Sequence, residues 1–205
     1  MNVLVACEFS GVVRDAFIER GHNAWSCDLL KGEGRYWTRH FQTDVLDELD
    51  NGWDLMIAHP PCTRLANSGV RWLAERNLWS ELSQAIWFFR ALQTASIPRI
   101  AIENPIPHKY ARVGFRDKIL DPVDPANNFT IGVGKYDQII QPWQFGHGET
   151  KATCLWLKNL PELEPTNIVE GREQRIWKMS PGADRAKLRS ITYKGFAEAM
   201  ADQWG

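Results

Sequence analysis

Two residues of this chain stand where chemistry is done. Cys62 follows two prolines at the end of the apolar run Leu55-Met56-Ile57-Ala58-His59-Pro60-Pro61, and Glu103 closes the next such run in Ile102-Glu103-Asn104-Pro105. Proline cannot extend a central strand, so the backbone has to leave a sheet at Pro60 and present Cys62 on a stiff turn. A thiolate is a strong, soft nucleophile once a helix start or nearby cation lowers its pKa. Its attack on an electron-poor ring carbon of a pyrimidine leaves negative charge on the ring. A carboxyl group held against the ring nitrogen and exocyclic amino group stabilises that charge. Taken singly, a free cysteine is most often an inert buried thiol, and a strand-end glutamate a solvated or salt-bridged acid. The two together, at neighbouring strand ends, point to covalent catalysis.

The elements that must position them alternate along the chain. Strands are expected at Val3 to Ala6, His22 to Cys27, near Thr43 to Val45, Leu55 to Ala58, Arg99 to Ile102, Gln138 to Gln141 and Thr153 to Leu157. Helices are expected at Val12 to Arg20, about Leu78 to Thr94 and about Gly195 to Asp202, with an irregular Pro/Asp/Asn-rich loop from Asp121 to Asn128. Strands alternating with helices predict an α/β fold with a mostly parallel sheet and right-handed crossovers. Such sheets gather their chemistry at the carboxyl ends of the strands. At 205 residues, with no internal repeat and no linker, the chain is expected to form one domain, 1–205.

The first strand ends suit a nucleoside. Cys7-Glu8-Phe9-Ser10-Gly11 follows the first strand and opens a helix, where Gly11 lets backbone approach a ligand and the helix start offers free N–H groups. Asp28 ends the second strand, where a carboxylate can accept both ribose hydroxyls, and Asp44 can accept from an adenine amino group. Each alone is ordinary, a turn glycine or a capping acid. Their order and spacing make the signal.

The remaining features narrow the class. Net charge is −1, so overall charge does not announce a polyanion partner. The charge is uneven, however: Arg172, Arg175, Lys178, Arg185, Lys187, Arg189 and Lys194 face two acids, Glu173 and Asp184, in the same stretch. A second basic group runs through His108, Lys109, Arg112, Arg116 and Lys118. Phosphate contacts and a solvated surface are both open readings of these groups. Four cysteines without a CxxC pair argue against a disulfide framework and a zinc ribbon, and a reducing cytoplasm is the expected compartment. No membrane span is expected, because no apolar run approaches ~20 residues, and Met1 leads directly into a strand with no room for a signal peptide. The His59-x-x-Cys62 spacing has no second pair to complete a metal site, so no metal is expected. The absence of H-x-E and P-C-x-x-C also counts against a zinc nucleobase deaminase. Trp72, Trp79 and Trp143 suit base stacking, with core or interface packing the favoured role, and Trp87, Phe88 and Phe89 are expected in the core.

Over nearly its whole length the sequence resembles the cytosine-5 DNA methyltransferases, specifically their small phage- or prophage-encoded branch. Cys7-Glu8-Phe9-Ser10-Gly11 looks like the family's S-adenosylmethionine loop, with Asp28 at the ribose and Asp44 at the adenine. Pro60-Pro61-Cys62 looks like the catalytic Pro-Cys motif, and Glu103-Asn104-Pro105 is similar to the Glu-Asn-Val motif. Phe145-Gly146-His147-Gly148-Glu149-Thr150-Lys151 aligns with the segment leading into the Gln-x-Arg-x-Arg motif, and the tail Arg189 to Ala201 sits where the last motif closes the cofactor pocket. The resemblance implies a Rossmann-like methyltransferase fold with helices on both faces of the sheet. It implies S-adenosylmethionine held by Phe9, Ser10, Gly11, Asp28, Asp44, Pro60 and Tyr193. Cys62 would add to carbon 6 of the pyrimidine, Glu103 would hold and polarise the base, Lys151 would stand in for the motif's first arginine, and carbon 5 would take the methyl group. Arg64, Arg71, Arg185, Lys187 and Arg189 would meet the nucleic acid, and Thr63 to Arg71 would be a mobile loop closing over the base, flipped from a duplex or taken single-stranded.

The departures set further expectations. Val12, Val13 and Arg14 replace the usual further glycines after Gly11, which touches the methionine end of the cofactor site. Lys151 keeps a charge but loses the bidentate fork of arginine, and the second arginine maps to Thr153. Only about Lys158 to Lys187 stands where the family carries a large target-recognition domain, a vestigial insert too short for its own core. Duplex DNA, single-stranded DNA, a free pyrimidine nucleotide, a partner protein or second copy that supplies the reader, and a non-catalytic relative all remain open.

Overall fold

Short apolar runs rich in Val, Ile, Leu and Ala, too short for helices and bounded by turn residues, form the centre of a sheet. The computed structural model describes residues 1–116, 129–180, 182 and 185–205, so the expected loop from Asp121 to Asn128 lies outside the described residues. In chain order the strands are β1 (Asn2–Ala6), β2 (Asn23–Cys27), β3 (His40–Phe41), β4 (Leu55–Ala58), β5 (Arg99–Pro105), β6 (Gly114–Arg116), β7 (Phe129–Ile131), β8 (Gln138–Ile140) and β9 (Thr153–Lys158). The helices are α1 (Val12–Glu19), α2 (Trp72–Glu75), α3 (Trp79–Gln93), α4 (Lys109–Val113), α5 (Arg175–Lys178), α6 (Arg185–Ser190) and α7 (Lys194–Gln203).

One mixed sheet has the order β3-β2-β1-β4-β5-β9-β8. Strands β1 to β5 run parallel, while β9 is antiparallel to both β5 and β8. The chain winds outward from β1 to β3, then returns to the other side of β1 as β4. Strand order therefore reverses between β1 and β4, and that reversal opens a crevice at their carboxyl ends. The fold is α/β with a mostly parallel sheet, as the alternation of elements predicts.

Side chains alternate across this sheet with the strand period of two. Leu4, Ala6, Met56, Ala58, Ile100, Ile102, Cys154 and Trp156 pack on one face with Leu82, Ile86, Phe89 and Leu92 of α3. Val3, Val5, Leu55, Ile57, Ala101 and Leu155 pack on the other with Val13 and Phe17 of α1 and Phe196 and Met200 of α7. Helices thus cover both faces, which is why the strands read as continuous apolar runs. Gly195 lets the first turn of α7 lie directly on the Phe145 carbonyl, where any Cβ would collide.

Three local expectations are corrected. The strand expected near Thr43 to Val45 is the two-residue β3 at His40–Phe41, and Val45–Glu48 is a 3₁₀ turn capped by the Asp44 carboxylate, which accepts from Leu46 N at 3.0 Å. β5 runs on through Pro105, because β9 supplies partners for Glu103, Asn104 and Pro105. Trp87 is 63% exposed rather than core, whereas Phe89 is fully buried. Among the described residues no helix is long and apolar enough to cross a membrane.

Candidate functional site

The crevice edge is built from the residues that follow β4 and end β5. His59 extends the ladder one step beyond β4, its N–H donating to Ala6 O at 2.9 Å, and Pro60 then ends the strand. The chain turns at once: Cys62 O accepts from Leu65 N at 3.0 Å and Ala66 N at 2.9 Å. Asn104, buried in β5, pins the turn by donating Nδ2 to Pro60 O at 2.8 Å. The segment expected to be mobile is tied in its first half to the loop after β5: His108 N donates to Leu65 O, Asn67 N to Ile106 O, and His108 Nε2 to Arg64 O. Cys62 itself is exposed, the one exposed residue among the four cysteines, all of which are free.

Glu103 is buried at 8% exposure, and its Oε2 accepts from His59 Nδ1 at 2.9 Å. Burial alone would raise its pKa, but the His59 hydrogen bond and the Lys151 charge outweigh it and hold the carboxyl below its usual value. The Cys62 thiol is pushed up by the protein packed around it and then by the Glu103 charge, with Lys151 and Arg189 opposing. The residue reaches solvent although protein crowds its sulfur. Glu103, Lys151 and Arg189 thus all bear on the Cys62 thiol, and Lys151 bears on Glu103 as well. Lys151 arrives because β9 runs antiparallel: Thr153 pairs with Pro105, so the residues before β9 lie at the carboxyl end of β5. Its Nζ donates to Arg189 O at 3.1 Å and lies 5.7 Å from the Tyr193 ring.

The end of β1 holds the second group. Cys7 adopts φ 58, uncommon for a non-glycine residue. Glu8 turns inward at 3% exposure and accepts from Val13 N at 2.7 Å and Arg14 N at 3.2 Å, capping α1. Burial raises the Glu8 pKa, against the opposing influences of His59, these two N–H groups and Arg14. Asp28 and Asp44 both bear on Cys7, whose thiol is raised first by burial and then by their charges. Each acid uses Oδ1 in its own turn, Asp28 for Leu30 N and Asp44 for Leu46 N. Gly11 is left-handed at φ 74, and the space a side chain there would need is taken by the Arg14 guanidinium and the Glu33 carbonyl. Phe9 is buried with Lys187 Nζ 5.0 Å above its ring, while Ser10 is half-buried and Pro60 buried. Tyr193 is buried and donates to Glu149 Oε2 at 2.8 Å, and Glu149 also holds Arg175 at 2.9 Å.

Much of the expected basic surface is engaged within the protein. Arg64 pairs with Glu81, Lys187 with Glu33 and Lys194 with Glu198. His108 is buried as the α4 cap, with Nδ1 accepting from Ala111 N, so it is not a phosphate contact. Arg185 opens α6, and Arg189, near its end, bears on Cys62. Arg71 lies away from any carboxylate pairing among the described residues and stacks on Trp72, with Arg76 on the same ring, at 4.3 and 4.2 Å. Sequence reasoning missed Arg76, Asn104, Glu8 and the role of His59, which it weighed only for metal spacing. No group of three or more potential metal ligands forms among the described residues.

Two surface cavities, of about 430 Å³ at Lys31 to Trp37 and about 310 Å³ between Glu149, Arg175, Leu188 and Tyr193, are not lined by Cys62 or Glu103.

No protein-family model matches the chain, and no curated protein matches it. Among solved structures it is similar to an E. coli protein described as a candidate DNA modification methyltransferase encoded within a prophage, at TM-score 0.46 and 14% identity over 88% of this chain and 55% of that one. It is similar also to the Entamoeba histolytica methyltransferase EhMeth, at TM-score 0.45 and 12% identity over 82% of this chain and 57% of that one. The chain spans just over half the length of either. Likeness at this level assigns no residue a role.

Proposed function

We propose that the chain is an S-adenosylmethionine-dependent methyltransferase acting on carbon 5 of cytosine in DNA. One observation carries the reading: an exposed cysteine at the β4 exit lies within electrostatic reach of a buried carboxyl at the end of β5 and of a lysine delivered by β9. At the nucleoside end, the charges of Asp28 and Asp44 both bear on Cys7 at the end of β1, which supports a cofactor there. Asp28 would accept the ribose hydroxyls and Asp44 the adenine amino group, with Phe9, Ser10, Gly11, Pro60 and Tyr193 around them. When bound, S-adenosylmethionine supplies a methyl group on a sulfonium.

Cys62 would form a carbon–sulfur bond to carbon 6 as its thiolate, sending an electron pair into the ring towards carbon 5. Glu103 would take up the proton that the Cys62 thiol gives up, donate it to the ring nitrogen while accepting from the amino group, and so stabilise that charge. Lys151 would offset the Cys62 thiolate and hold the ring's exocyclic oxygen as a point charge. With the methyl group on carbon 5 and the cofactor left as a thioether, release of the carbon 5 proton to solvent, return of the ring-nitrogen proton to Glu103 and expulsion of the Cys62 thiolate would restore the aromatic ring. Burial and then the Glu103 charge keep the thiol protonated at rest, so the nucleophile would emerge as Glu103 takes that proton for the bound base.

The insert at 158–187 would not read sequence alone. Bridges Phe145 to Asn167 and Glu149 to Glu173 tie part of it to the 142–150 segment, which supports that reading. Loose specificity, or a reader from a partner protein or a second copy, accords with that. Arg64, Arg71, Arg185, Lys187 and Arg189 would meet the phosphates.

Labelled S-adenosylmethionine with duplex DNA, single-stranded DNA and pyrimidine mononucleotides tests the reading. Label on DNA supports it, label on mononucleotide alone transfers the chemistry to a smaller substrate, and no label with intact cofactor binding indicates a binding protein. A covalent adduct with 5-fluorocytosine DNA, lost in Cys62→Ala, identifies the nucleophile.

A further inference from the structure

The least expected group in the site is an imidazole. His59 and Glu103 face each other across adjacent parallel strands, because Ala58 pairs with Ile102 and both next residues lie at the carboxyl edge. Their side chains are 8% and 9% exposed, and Nδ1 lies 2.9 Å from Oε2. Oε1 of Glu103 accepts no hydrogen bond among the described residues, and His59 Nε2, fully buried, finds no partner among them either. The charged groups around the imidazole are Glu103 from β5 and Glu8 from the loop after β1; Lys151 bears on Glu103 in turn, and Arg14 on Glu8.

We propose that His59 is a positioning residue: its Nδ1–H fixes one oxygen of Glu103 and leaves the other to grip the base. A carboxylate on a free side chain samples several rotamers, and each departure from the productive pose costs rate. A donor locked in the next strand removes that freedom. The buried carboxylate also stays ionised because a donor meets it. His59 touches Glu103 rather than substrate, so its effect on turnover rests on the methyltransferase reading, whereas its hold on Glu103 does not.

Asparagine places an N–H near the position of Nδ1 and cannot titrate, while leucine removes the donor. Carbon-13 titration of the Glu103 carboxyl, assigned with Glu103→Gln, reads the hold directly. Glu103 titrates higher in His59→Leu than in the wild type, and in His59→Asn it stays near the wild-type position. An unchanged titration in His59→Leu overturns the proposal. Should His59→Leu not fold, His59→Gln, whose amide overreaches the Nδ1 position, takes its place.

Methyl transfer gives the second reading. His59→Leu loses on the order of 100-fold in kcat with KM nearly unchanged, and His59→Asn recovers to within about tenfold of the wild type. A loss carried by KM, or no recovery with asparagine, overturns the positioning role. If the wild type transfers no methyl group at all, the methyltransferase reading falls while the titration still decides what His59 does to Glu103.

Discussion

Arg14 is a cation in the first turn of α1, where the helix dipole disfavours positive charge, and it is fully buried. It is tolerated because its guanidinium is satisfied on every side. Nε donates to Asp15 Oδ1 at 2.8 Å, Nη1 to Ser26 Oγ at 2.8 Å and Nη2 to Glu33 O at 2.6 Å. Arg14→Met keeps the volume and removes all of these. The Glu33 carbonyl then loses its donor, while Ser26 keeps His40 and Asp15 keeps the Arg35 N–H. Breaking a buried ion pair costs about 3–5 kcal/mol, and the 16% exposure of Asp15 puts this case at the lower end, about 3 kcal/mol. At about 2–4 °C per kcal/mol for a chain of this size, Tm falls by about 6–12 °C. Thermal unfolding followed by circular dichroism measures it, and Arg14→Lys, which keeps charge but not the fork, lies between. A Tm for Arg14→Met within about 2 °C of wild type refutes the view that Arg14 fastens the 31–35 loop to α1.

The site makes its own predictions. Glu103→Gln removes a charge that raises the Cys62 thiol, so iodoacetamide alkylation at neutral pH speeds up, and Lys151→Met slows it. The assay reads Cys62 because Cys27 and Cys154 are buried and pushed up to about 12, and burial pushes the half-buried Cys7 thiol up further still. Asn104→Ala leaves the Pro60 carbonyl without its buried donor and lowers urea-unfolding stability by about 1–3 kcal/mol. Because Glu103 is held below its ordinary value of 4.5, its ionised form stabilises the fold fully above that pH. That contribution is lost as pH falls through the lower folded-state value, and acid unfolding of His59→Leu shows a weaker loss over this window. On the methyltransferase reading, Arg71→Ala and Arg76→Ala each weaken DNA binding across sequences and reduce the salt slope by about 1; an unchanged slope removes both from the interface.

The sheet was legible because its central strands are buried on both faces, so Val3 to Ala6 and Leu55 to Ala58 read as plain apolar runs. The short edge strand was not. His40 and Phe41 gain strand geometry from Ser26 and Cys27 alone, a tertiary pairing with no local pattern. Asp44, read as strand, instead serves a turn through its own carboxylate. Cys62 and Glu103 were singled out by the prolines near them, although β5 itself runs on through Pro105. His59, Asn104 and Glu8 were not, since their roles depend on which groups face them across the sheet. The basic stretch from Arg172 was legible as charge, but its pairings with Glu149 and Glu33 cross more than twenty residues of chain.

The antiparallel course of β9 also sets the order in which the charges at the end of β5 assemble. Glu103 lies opposite Leu155, so the counter-charge at Lys151 reaches it only when two distant pieces of chain have met. Contacts so far apart in sequence close late and slowly. A nascent polypeptide emerging from the ribosome would expose its thiol and acid well before the cation joins them. The balance of charge around that thiol would thus be a product of tertiary folding rather than of any local segment.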